Sequence, residues 1–184
     1  MSLKESIITE IKQETATTRR LIERVPEASF QWQPHKKSMT LVRLASHIPE
    51  LIGWVKTIVA QSEWDFGSDH YIPPATTTAS ELLKLFDDNV STALGLLENQ
   101  TDESLVARWR LKNGETILLN LPRAAALRTV VMNHVIHHRG QLSVYLRLLD
   151  VPLQELAQAE NMALATKEEG LKHVIWSTLE DTRR

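Results

Sequence analysis

Residues 127–149, LRTVVMNHVIHHRGQLSVYLRLL, decide how the chain is read. On an α-helix each residue advances by about 100°. With Leu127 set at zero, Val131, Leu142, Tyr145 and Leu149 fall between zero and about 60°, and Val130 and Leu148 near 300°. The apolar stripe then centres slightly past zero. His138 lies at about 20° and His134 at about 340°, both inside the stripe, whereas His137 lies near 280°, on its margin. Two imidazoles one turn apart are therefore expected to point inward among aliphatic side chains. Residues at i and i+4 share a helix face, so both rings can reach one ion. Imidazole is the commonest protein ligand for a transition metal and binds in its neutral form. The competing explanation is a pair of core histidines with hydrogen-bonded nitrogens. Periodicity alone does not separate the two, because HxxxH lacks the base built into HExxH.

Working outward, the rest of the chain also reads as helical. Pro122 suits the first turn of this last helix, which runs to about Asp150, before Pro152. Ahead of it, RWRLKNGETILL at 108–119 places Asn113-Gly114 between two β-prone runs, a hairpin signal. Ser2 and Glu5 form a capping box for a first helix, whose apolar positions from Ile7 to Val25 recur at helical spacing until Pro26. Residues 26–37 read as a loop. Ser38 or Thr40 caps a second helix to about Gln61, with Pro49 expected to kink it. Residues 62–77, with Gly67, Pro73 and Pro74, lack periodicity and form a long crossover. Thr78 and Glu81 make a second capping box, opening a third helix to about Asn99. The expected fold is all-α: a four-helix bundle with a long crossover between helices two and three and a small β-hairpin before helix four. Strands are expected only in that hairpin. Residues 1–152 form the bundle, and 153–184 a charged extension with a short closing helix.

A third ligand must come from another helix, and His47 on helix two is the candidate. It lies towards one margin of the stripe formed by Leu41, Leu44, Ile48, Leu51, Ile52, Val55 and Val59. Three protein ligands leave a zinc-like ion one open position for water or substrate.

Composition removes several alternatives. The 184 residues contain no cysteine, which excludes disulfides, thiolate metal sites and cysteine nucleophiles. The formal net charge of −2 gives no basic footprint, so no nucleic acid partner is expected. No apolar run approaches the ~18 residues of a membrane span. Residues 2–14 are polar and amphipathic, unlike a signal peptide. A cytoplasmic protein without membrane association is expected. No P-loop, GxGxxG or Ser-His-Asp order is present.

The stretch His134-Val-Ile-His137-His138-Arg139-Gly140-Gln141-Leu142 resembles the HxxxHRGQ signature of the DinB/YfiT-like superfamily. Leu44-Ala45-Ser46-His47-Ile48 is similar to that family's helix-two histidine in its setting. Trp64-Asp65-Phe66, the Asn113-Gly114 hairpin and Leu148-Leu149-Asp150-Val151-Pro152 also match, so the resemblance covers about residues 1–152. It implies a four-helix bundle, often dimeric, in which His47, His134 and His138 bind one divalent ion. Zinc and nickel are the leading candidates, with iron and manganese behind them. The resemblance implies a homodimer and a small-molecule substrate, with transfer of a low-molecular-weight thiol as the leading reaction. A metal-dependent hydrolase and a non-catalytic metal-binding stress or interaction protein are the alternatives. The chain departs from the pattern in its charged tail, 153–184. No catalytic residue is assigned.

Other polar residues are expected to be less involved. His137 reads as exposed or supporting the ligands rather than as an i+3 ligand, and Arg139 as solvated, with pairing to a carboxylate or a substrate anion as its alternative. Gln141 could orient a ligand histidine as readily as serve helix packing. Glu50, the carboxylate nearest His47 in sequence, reads as a surface residue, with a general base as its alternative. His35, His70 and His173 read as surface positions, and Trp32, Trp54, Trp64, Trp109 and Trp176 as core and crossover anchors.

Overall fold

Helix α1, Leu3–Ile22, begins at the expected capping box: Ser2 Oγ accepts from the Glu5 amide, and Glu5 Oε2 from the Ser2 amide at 2.7 Å. Two further first-turn amides, of Leu3 and Lys4, donate to the Asp102 carboxylate at 3.0 and 2.9 Å. A negative charge is favourable at that helix end, so the contact ties α1 to the short helix α4, Asp102–Val106. The computed structural model describes residues 1–68 and 72–153 of the chain. The expectations for His70, His173, Trp176 and the 153–184 extension lie almost wholly outside them. Met1–Asp150 form one compact unit, which contains every helix and strand among the described residues.

Among the described residues the chain is mostly helical, with one small sheet. Helix α2, Leu41–Ala60, is capped by Thr40 and runs unbroken through Pro49, whose carbonyl accepts from Asn89 Nδ2 at 2.8 Å. Helix α3, Ala79–Glu98, starts at the Thr78/Glu81 capping box. The last helical stretch has three parts: α5, Arg123–Ala126, a π-helical segment, Leu127–Met132, and α6, Asn133–Leu148. Helix α2 packs against α3, α6 and the π segment, while α1 packs against α3 and α6. Because α2 meets neighbours on several sides, it buries more than a stripe. Ser46, His47 and Glu50 are enclosed together with Leu44, Ile48, Leu51 and Ile52.

The strands go beyond the expected hairpin. β2, Arg108–Asn113, and β3, Thr116–Pro122, pair antiparallel with Asn113 opposite Thr116. The two loop residues are thus Gly114 and Glu115. Gly114 has φ +57, a conformation glycine adopts without penalty. A third strand, β1, Glu63–Asp65, pairs parallel with β2 from inside the crossover, so the all-α reading needs correcting to a mostly helical chain with a three-stranded sheet. The Asp65 carboxylate holds this junction, accepting from the amides of Gly67 at 3.1 Å and Gly114 at 3.0 Å. Glu63 adds ion pairs to Arg110 and Lys112 on β2. Trp109, fully buried, fixes β2 in the core.

The π segment alters the geometry of the decisive stretch. The Asn133 amide donates to the Arg128 carbonyl, five residues back, where an α-helix would reach four. The face beyond it is therefore rotated from a uniform 100° wheel. The buried positions of α6 are Val135, His138, Leu142 and Leu146, while Leu148 is exposed. His138 stands on that buried face and His134 at its edge, half-buried. Among the described residues, no helix is long and apolar enough to cross a membrane.

Candidate metal centre

Helix α2 supplies His47, and α6 supplies His134 and His138 from successive turns of one face. One nitrogen from each ring lies within 4.8 Å of the others. The ring centroids are 5.2 Å apart for His47 and His134, 4.8 Å for His47 and His138, and 4.7 Å for His134 and His138. Zinc–nitrogen bonds of 2.0–2.1 Å place two tetrahedral ligand nitrogens about 3.3 Å apart, so small ring movements would close the cluster on an ion. His47 and His138 are buried and His134 is half-buried.

The second nitrogens of two rings are occupied. His47 Nδ1 lies 2.8 Å from Glu50 Oε2. A carboxylate only accepts, so the neutral His47 ring carries its proton on Nδ1 and keeps the Nε2 lone pair. His138 Nδ1 lies 2.7 Å from Gln141 Oε1, which leaves its Nε2 available in the same way. Burial pushes the His138 pKa down to about 4, against a smaller opposing pull from Gln141, and the neighbouring His134 and His47 lower it further. Burial, then the nearby His47, also lowers that of His134, with the Val130 carbonyl pulling the other way. Both effects favour the neutral ring, the form that ligates. Three converging imidazoles, two with Nδ1 engaged and two held toward the neutral form by burial, fit a divalent transition ion.

Several neighbours differ from their sequence reading. Glu50 is 4% exposed and bridges His47 to Arg43, whose Nη1 is 2.8 Å from the same Oε2. The His47-x-x-Glu50 spacing places both on one helix face and was the available signal. Arg139 is not solvated: its Nη1 donates to the Glu14 carboxylate at 2.5 Å and carbonyl at 3.3 Å, and to Thr18 Oγ1 at 3.4 Å, tying α6 to α1. His137 is exposed, with its ring 5.0 Å from that of His138, and stays outside the cluster. His35 is exposed in its loop, where Nδ1 accepts from the Lys37 amide. Trp54 stands 6.0 Å from both His47 and His134, and Trp64 of β1 stands 5.2 Å from Trp54, so one indole flanks the cluster and a second packs on the first. On the Gln141 side of His138, a cleft of about 290 Å³ is lined by Leu44, Met39, Lys37 and Tyr145.

A mostly helical chain that gathers three histidines from two helices defines a class of candidate metal-binding helical proteins. The DinB family model matches residues 1–169, and the chain belongs to the DinB family. A DinB-like protein of Bacillus subtilis superposes with a TM-score of 0.64 at 21% identity, covering 80% of this chain and 96% of the other. A DinB-like protein of Bacillus cereus gives 0.64 and 21%, covering 80% and 93%. At these identities the likeness shows the fold. No curated protein matches.

Proposed function

We propose that this chain holds one divalent metal ion between His47, His134 and His138 and acts as a metal-dependent enzyme on a small molecule. Its reaction class in this reading is transfer of a low-molecular-weight thiol to an electrophile. The carrying observation is the convergence of three imidazoles, two of them with Nδ1 already engaged by Glu50 and Gln141. When bound, a zinc or nickel ion would lower the pKa of a thiol or water at its open position. The protein's share is to aim His47 and His138 through Glu50 and Gln141 and to hold His134 and His138 toward the neutral form by burial. The thiol class comes from the family resemblance. In the same reading the long helices make a four-helix bundle, and the working form is a homodimer in the cytoplasm.

Purified protein, assayed for metal content and reloaded, should consume a free thiol in the presence of an electrophile only when metal is bound. Hydrolysis of the electrophile without thiol consumption would replace transfer by a metal-dependent hydrolase. A loaded protein inactive in both assays would leave the non-catalytic metal-binding reading.

A further inference from the structure

We propose that Glu50 and Arg43 are positioning residues that set the strength of the metal site through His47. The inference rests on the metal reading and goes beyond it to residues outside the ligand set. Arg43, His47 and Glu50 lie at i, i+4 and i+7 on α2, along one face. A single oxygen, Glu50 Oε2, meets both His47 Nδ1 and Arg43 Nη1 at 2.8 Å. Glu50 is enclosed, whereas the Arg43 side chain remains 35% exposed. The guanidinium therefore reaches in from the surface to a carboxylate that burial alone would disfavour as an anion.

The consequence for the site is asymmetric. His138 is backed by a neutral amide, Gln141, and His47 by a carboxylate. A carboxylate behind a ligating imidazole fixes its tautomer and ring orientation and makes it a stronger donor. Arg43 contributes by holding the carboxylate oxygen in place, and its effect must pass through Glu50. His47 is thereby the strongest donor of the three, and α2 is more than a passive wall for the α6 pair.

The test uses the full chain and zinc alone, with affinity read by chelator competition on parent, Glu50→Gln, Arg43→Gln, Arg43→Lys and the Glu50→Gln/Arg43→Gln double variant. Changes at partners of this kind cost about 10–100-fold in metal affinity, which is the loss expected for Glu50→Gln. Arg43→Gln should weaken binding in the same direction, and Arg43→Lys should recover most of the loss. In the Glu50→Gln background, Arg43→Gln should cost nothing further, because the two act as one path. Long-range proton–nitrogen NMR of the metal-free parent should show His47 protonated on Nδ1, and Glu50→Gln should shift that signal. A merely structural role for Glu50 would leave it in place. Parent-like zinc affinity, within twofold, for both Glu50→Gln and Arg43→Gln overturns this proposal and leaves the metal reading intact. A parent that binds no zinc overturns both. If Glu50→Gln does not fold, the Arg43 pair decides alone.

Discussion

Acid should destabilise the metal-free protein through His138 before the carboxylates take part. In the fold this imidazole titrates at about 4, held there chiefly by burial, while in the unfolded chain it returns to its ordinary 6.5. The folded pKa is the lower one, so between these values the unfolded state binds a proton that the native state refuses. Stability is then fully present above about pH 6.5, falls as pH drops toward 4, and levels off below. At one pKa unit per 1.36 kcal/mol, the loss is about 2.5 kcal/mol at pH 4.5 and about 3 kcal/mol at its limit. His134, shifted in the same direction, adds to it. The lowered carboxylates of Glu63, Asp65, Glu81 and Asp87 begin to lose their contribution near pH 4.5 and below, so these four add little to the change between pH 6.5 and 4.5. The assay is urea unfolding in a chelator at pH 7 and 4.5, for the parent and for His138→Leu. The parent should lose about 2–3 kcal/mol more than the variant across that interval. Equal losses would refute a neutral, burial-depressed His138.

Other perturbations draw on the same packing. Trp109→Ala should cost about 3–5 kcal/mol in urea unfolding, since it empties a fully enclosed site beneath β2. Arg139→Gln should cost about 1–3 kcal/mol, by removing the charge-assisted bond to the Glu14 carboxylate that ties α6 to α1, while leaving metal content at the parent level. Sedimentation at tens of micromolar should give a homodimer, and a stable monomer would remove that part of the proposal.

The helices were legible where local chemistry decides. Ser2/Glu5 and Thr78/Glu81 announce helix starts because the bonds they make span three residues. Asn113-Gly114 marked the hairpin, although Gly114 rather than Asn113 enters the turn. The third strand was not legible: Glu63–Asp65 pairs with residues 47 positions away, and three residues carry no usable period. The π segment was equally silent, since an apolar run such as Leu127–Met132 reads alike at either pitch. It moved the buried face of α6 towards Val135 and Leu146, yet His134 and His138 stayed close enough to meet His47. Glu50 was misread because a stripe was assumed for α2, a helix with neighbours on several sides. For Arg139 a carboxylate partner was the alternative to solvation, and which carboxylate was not legible because Glu14 is 125 residues away.

In the proposed site His47, His134 and His138 hold one metal ion while His137, one residue from His138, does not. Metal content and melting temperature should be measured after zinc loading for the parent and for His47→Ala, His134→Ala, His137→Ala and His138→Ala. The parent should hold one ion per chain and melt higher with metal bound, His137→Ala should retain the ion, and the other three variants should lose it. A parent that takes up no divalent ion would rule out the metal site, and a His137→Ala that loses it while His138→Ala keeps it would rule out this ligand set.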